Sequence, residues 1–331
     1  MFVNLVCVVK KFLKPKIFSL FSFFIVSLCS FLSLAAPSPN IYISQIVDHP
    51  GLNLAYDGFT DALKSYGFID QQNIKLHKFT AAGQINLAAQ IAQKIMASNP
   101  DLVVAISTPS VQSLVSARKD ENIPIIFTSV TDHKLAKLDQ VENITGAIDY
   151  PSIDEVLSLV RKMMPKAAKI GLIYNAGEAN SVSILGKLKD NKQQFEIVAK
   201  AINNTQQIAQ AAESIGKEID LMLVTTDNTV VAGINVLFKV ISQHQLNVPV
   251  IVMDSSLAKF GAVASIGFSQ YEVGYKAGEK AAKILQGEKA SNLRVETPDK
   301  LEIIVNPIVA KKFGIIIPQS ILTQVKIMGE K

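Results

Sequence analysis

Six short polar clusters, each placed directly after an apolar run, hold the residues best suited to grip a small molecule. They are "VDHPG" with Asp48, "STPS" with Thr108 and Ser110, and "TSVTD" with Val130 and Asp132 in the first half. The second half has "YNAGEANS" with Asn175, Glu178, Asn180 and Ser181, then "TTDNT" with Thr226, Asp227 and Asn228, then "MDSS" with Asp254. Amides, hydroxyls and carboxylates of this kind form hydrogen bonds and charge pairs. Bond-breaking chemistry is poorly served: "STPS" lacks the glycines of a nucleophile elbow, and no glycine-rich phosphate loop follows an apolar run. His49 and His133 have no second histidine or cysteine at ligand spacing, which argues against a metal. The sequence therefore points to binding without catalysis, and to no cofactor.

Two readings compete at each cluster. Helix capping explains one polar residue: Asn180 or Ser181 before "SVSILGKLK", or Asp227 before the next apolar stretch. Ligand contact explains several together. A helix starting near Ser181 would turn its free amides toward an anion such as an α-carboxylate. Thr108, Pro109 and Ser110 suit the first turn of a helix in the same way. Asp227, with Asp254 as a second candidate, could receive an ammonium group through a charge-assisted hydrogen bond. Tyr42, Tyr56, Tyr150 and Tyr271 are aromatic candidates for the same cleft.

Those clusters need a scaffold that brings strand ends together. After Asn40, β-rich apolar runs alternate with amphipathic stretches, the pattern of parallel α/β layers. "IYISQIV", "NIKLHKF", "DLVVAIS" and "IPIIFTSV" read as strands. "LAYDGFTDALKSYGF" reads as a helix ending near Gly67, followed in turn by "INLAAQIAQKIMAS" and "PSVQSLVSARK". "NITGAIDYPS" has turn residues and no strong period. The rhythm then restarts with strands "KIGLIYN", "FEIVAKAI", "IDLMLVTT", "VPVIVMD" and "AVASIGF". The helices between them include "VVAGINVLFKVISQH" and "YEVGYKAGEKAAKILQG", and "LEIIVN" and "PIVAKKFGI" close the chain. In open parallel sheets, ligands collect at the carboxyl ends of strands. Two such sheets facing each other would line a cleft.

The chain has 331 residues, 49% hydrophobic and 18% charged, ample for two lobes. Residues 1–35 read as an export signal: Lys10, Lys11, Lys14 and Lys16 precede the uncharged run from Ile17 to Leu34. Ser33 and Ala35 stand where a signal peptidase needs small residues, which leaves Ala36 first. A retained anchor is the alternative, since the run is just long enough to span a bilayer. Lipidation at Cys29 fits less well, because Leu28 fills a position that needs a small residue. Both cysteines, Cys7 and Cys29, lie in this segment. With 33 basic and 28 acidic residues the chain carries +5, but four of the lysines belong to the signal. The remainder carries +1, without the basic footprint that nucleic acid requires.

"ISQIVDHPGLNLAYDGFTDAL", "PDLVVAISTPSVQSL", "IPIIFTSVTD", "NITGAID", "IGLIYNAGEANSV" and "VTTDNTVV" together resemble the substrate-binding components of ABC importers, in the tryptophan or tyrosine branch. The likeness runs from Asn40 to Pro318, and "YNAGEANS" is its most specific piece. It implies an α/β fold of two Rossmann-like lobes, the type I periplasmic-binding-protein arrangement, joined by three crossovers. Residues 40–148 plus about 268–290 would form one lobe, and 149–267 plus about 291–331 the other. It also implies an exported, monomeric binder of an amino acid, aromatic in this branch, that serves a permease and an ATPase. One stretch departs from the pattern: where related chains continue "TDPVGAGLV", this one has "TDHKLAKLDQ". A membrane-tethered sensory ectodomain of the same fold is the competing function.

Overall fold

The computed structural model describes residues 38–191, 195–322 and 325–328. The signal-peptide reading and both cysteines lie outside the described residues. Pro39–Lys331 form one compact unit built on two separate sheets.

The first sheet has five parallel strands in the order β2-β1-β3-β4-β5: β1 Asn40–Gln45, β2 Lys75–Thr80, β3 Leu102–Ile106, β4 Ile125–Val130 and β5 Ile144–Ile148. Its central strands are apolar on both sides, as burial under helices on two faces demands. Three helices belong to this half: α1 Pro50–Ser65, α2 Ile85–Ala97 and α3 Thr108–Ala117. The helix read as starting near Leu54 starts at Pro50, because Pro50 suits its first turn and the His49 ring accepts the Leu52 amide as a cap. "NITGAIDYPS" supplies β5, which the sequence did not reveal. This short edge strand shows no clean alternation, and its Gly146 lies against the Phe127 backbone.

The chain then crosses to a second sheet through α4 Ile153–Met163, whose Ser152 and Glu155 form a capping box. β6 Lys169–Asn175, α5 Ala179–Lys189, β7 Glu196–Ile202, α6 Ile208–Ile215 and β8 Leu221–Val224 follow. "VVAGINVLFKVISQH" is two helices, α7 Asn228–Ala232 and α8 Ile234–Gln243, broken at Gly233. β9 Val250–Val252 and β10 Ala264–Phe268 continue the sheet. The chain recrosses into α9 Gln270–Leu285, then returns as β11 Leu301–Val305, α10 Pro307–Lys312, α11 Gln319–Leu322 and β12 Lys326–Ile327. The strand order is β12-β11-β10-β9-β8-β6-β7, with only β10 and β11 antiparallel. Apolar cores fill both faces.

Although α9 follows a strand of the second sheet, it packs in the first core, with Val273, Ala277 and Ala281 buried there. It lies backbone to backbone on α1. A Cβ on Gly274 would overlap the Ala55 carbonyl, and one on Gly58 the Tyr271 carbonyl. We expect Gly274→Ala to cost about 1–3 kcal/mol, toward the upper end because the obstacle is main chain. Urea unfolding checks this, and a loss below about 0.5 kcal/mol, within the range of inert substitutions, would contradict the close packing. Residues 291–296, placed with the second lobe by the sequence, stay beside the first. Thr145 donates to Leu293 O, and Glu296 exchanges backbone hydrogen bonds with Gly146 and Ile148. The final crossing therefore falls between 296 and 301.

Candidate functional site

The carboxyl ends of both sheets face each other, and the lobes touch there. Thr131, just past β4, shares a 3.0 Å hydroxyl hydrogen bond with Thr226, just past β8. Lys187 on α5 reaches Asp132 at 2.7 Å while its Nζ stands 4.3 Å from the Tyr150 ring centre. His49 of the first lobe comes close to the Asn228 side chain of the second. At the floor, Gln270 at the start of α9 accepts from Ser129 Oγ (2.7 Å) and donates to Asp149 Oδ2 (2.8 Å). Ser129 reaches that position through a shift of register between β4 and β5 and a backbone φ of 55°.

On the second-lobe wall, Glu178 and Asp227 form an interlocked pair. Glu178 Oε2 accepts from the Asn228 amide (3.0 Å) and side chain (2.6 Å), and its Oε1 from the Thr229 amide (3.0 Å) and hydroxyl (2.7 Å). Glu178 thus caps α7 from another loop. Asp227 Oδ1 accepts from the Val230 amide (2.8 Å), and Oδ2 from the Asn175 amide (2.6 Å) and Ser181 Oγ (2.7 Å). Asn175 in turn donates to Thr229 Oγ1 (2.8 Å) and accepts from the Gly177 amide (2.8 Å). Burial first, then the Glu178 charge, pushes Asp227 up to about 7.

The residues singled out from the sequence therefore divide. Asn175, Glu178, Ser181, Asp227 and Asn228 meet in one buried network whose bonds are mostly internal. Asn180 and Ser181 lie within the first turn of α5, whose cap position is Glu178. Asn180 donates to Thr226 O (3.0 Å), but its Oδ1 has no partner. Thr108 and Ser110 are buried with unpartnered hydroxyls, as is neighbouring Ser107. Ser107 has φ 90° and ψ 157°, a region that only glycine enters without strain. Asp254 is buried, its Oδ1 accepting from Ser256 N (2.8 Å) and its carboxyl held high by burial. Val130 buries its side chain in the first core, so it offers the cleft only backbone. Asp48 is exposed, near Lys78 at 3.9 Å, outside the buried set.

Several cleft residues were not singled out in the sequence. Lys187 reads as one of many solvated helix lysines, and Gln270 and Asp149 fall where no polar cluster follows a predicted strand. Burial lowers His49 to about 4, so it is a neutral contact at the lobe boundary. Among the described residues no group of acidic, histidine or cysteine side chains could hold a metal ion, and no helix is long and apolar enough to cross a membrane.

A 274-residue stretch is 40% identical to a tyrosine-binding protein of Clostridioides difficile, covering 81% of this chain and 78% of that one. A Streptococcus pneumoniae ABC domain crystallised with L-Trp superposes with a TM-score of 0.82 at 27% identity, covering 88% of this chain and 100% of that one. The ligand-free, open structure of a Clostridium difficile substrate-binding protein with adhesive properties is 35% identical over the same shares, yet its TM-score is 0.64. The whole chain thus superposes more closely on the tryptophan complex than on the open form of the more similar chain. The family model for ABC transporter substrate binding proteins matches residues 40–327. On that match and on the two-sheet cleft, the chain belongs to the ABC transporter substrate-binding proteins, extracytoplasmic binders that serve a permease and do not transform their ligands.

Proposed function

We propose that this protein captures an aromatic amino acid between its lobes and delivers it, as a monomer, to an ABC permease driven by a separate ATPase. The observation that carries this reading is a set of buried polar atoms at the facing strand ends with no partner among the described residues. Ser107 Oγ, Thr108 Oγ1 and Ser110 Oγ belong to the first lobe, and Asn180 Oδ1 and Thr225 Oγ1 to the second, with Tyr150 OH at the crossover. Each such group left unpaired costs about 1–3 kcal/mol. A zwitterion suits them. Its carboxylate can accept from the three hydroxyls at the start of α3, where the helix dipole adds attraction. Its cationic end suits a cleft with four buried carboxylates, Asp149, Glu178, Asp227 and Asp254. The tyrosine-binding relative and the L-Trp complex support an aromatic side chain.

Tyrosine, tryptophan or phenylalanine should raise the melting temperature of the purified protein. At a hundred times its dissociation constant, ligand confined to the folded state adds about 2.7 kcal/mol, roughly 4 °C for a chain of this size. A panel in which no amino acid shifts the transition while a sugar or purine does would overturn the reading.

A further inference from the structure

Four carboxylates are buried around the cleft, and none joins a salt bridge among the described residues. Their hydrogen bonding differs sharply. Glu178 accepts four hydrogen bonds and Asp227 three. Asp254 accepts from Ser256 and has Lys259 in electrostatic range. Asp149 receives one side-chain hydrogen bond, from Gln270 to Oδ2, and its Oδ1 is buried with no partner.

Asp149 also stands in the right place. It directly follows β5, and its amide donates to Val130 O at 3.3 Å, on the sheet edge where Thr131 meets Thr226 of the other lobe. Tyr150 follows it, with its own hydroxyl unpartnered and its ring beneath Lys187. Asp149 thus lies at the first crossing between lobes and is tied through Gln270 to the second. A buried carboxylate with an open acceptor is costly on its own and favourable once a cation fills the gap. Burial, with the nearby Asp254 charge, raises Asp149 to about 6, which is the signature of a carboxylate short of positive charge.

We propose that Asp149, through Oδ1, receives the ammonium group of the bound amino acid, while Asp227 and Glu178 serve to build the second-lobe wall. The proposal rests on the amino-acid reading above. It places the cation at the hinge, so ligand would bridge the crossings as well as the two walls.

The test pairs tyrosine, tryptophan and phenylalanine with their des-amino analogues, the corresponding arylpropanoates, in calorimetry on the parent, Asp149→Asn and Asp254→Asn. Asparagine matches the shape of aspartate, keeps an acceptor for Gln270 and removes an unpaired charge, so Asp149→Asn should melt no lower than the parent. It should lose about twenty-fold or more in affinity for the amino acid. Its affinity for the analogue should stay within about three-fold of the parent's, a difference of under 1 kcal/mol. Should the asparagine variant fail to fold, Asp149→Ser repeats the measurement. An Asp149 variant that keeps the parent's preference for amine over des-amino ligand overturns the proposal alone. So does a preference abolished by Asp254→Asn and untouched at 149. A parent that binds no amino acid overturns the functional reading, and this proposal with it.

Discussion

Replacing Asp227 by alanine should lower the unfolding free energy by roughly 3–5 kcal/mol, the lower part of what stranding three buried donors costs. The side chain is fully buried and accepts from two backbone amides and one hydroxyl. Alanine strands all three donors at about 1–3 kcal/mol each. Two terms work against that loss: removing the charge relieves repulsion from Glu178 and ends its own desolvation, which together raise its pKa. The hydrogen bonds win because three donors in a fully buried site lose their acceptor at once.

Asparagine at 227 separates the terms. It can still accept from Asn175 and Ser181, but its amide nitrogen then faces the Val230 amide, donor against donor. Relief of the charge repulsion offsets part of that, so Asp227→Asn should cost only about 1–2 kcal/mol. Chemical unfolding of both variants decides the matter. If alanine and asparagine prove equally mild, below about 0.5 kcal/mol, the network around α7 does not hold the second wall.

How far the sequence revealed this arrangement can be followed at particular residues. Alternating apolar runs disclosed most strands, because strands buried on both faces read as continuous Val, Ile and Leu. β5 escaped because a five-residue edge strand containing Thr145 and Gly146 carries little period. The polar clusters flagged residues that come together, since Asn175, Glu178, Ser181, Asp227 and Asn228 meet in one network. Their division of labour was not legible: Glu178 caps a helix 50 residues further along the chain. Only the fold brings them together. Asp149 was hidden for a similar reason, because the side chain that bonds it, Gln270, lies 121 positions away. Sequence spacing identifies which residues can cap or bind locally, whereas a missing partner can be seen only when every neighbour is in place.

The unpaired carboxylates should also give the protein an acid-shifted stability optimum. Asp227 and Asp149 rise from an ordinary 3.8 to about 7 and about 6, so between those limits the folded state keeps protons that the unfolded chain has released. Stability from a raised carboxyl pKa is greatest below 3.8 and is lost as pH climbs to the folded value. Asp254 is shifted in the same direction. His49 opposes them. Lowered from 6.5 to about 4, it is neutral when folded and protonated when unfolded across that window, so its contribution grows with pH. Asp132 is held below its usual range, but it acts only under about pH 4 and is partly exposed. From pH 4 to 6 the raised carboxyls Asp149, Asp227 and Asp254 outnumber the single histidine that opposes them. Stability should therefore fall as pH rises across that range. Urea unfolding at several pH values without ligand measures the slope, and a flat or rising profile there would contradict it. Asp149→Asn should lessen the fall, because one of the raised carboxyls is then gone. Saturating amino acid should do the same in the parent if its ammonium sits on Asp149, since that contact favours the ionised carboxylate. Ligand should then bring no further flattening to the Asp149→Asn variant.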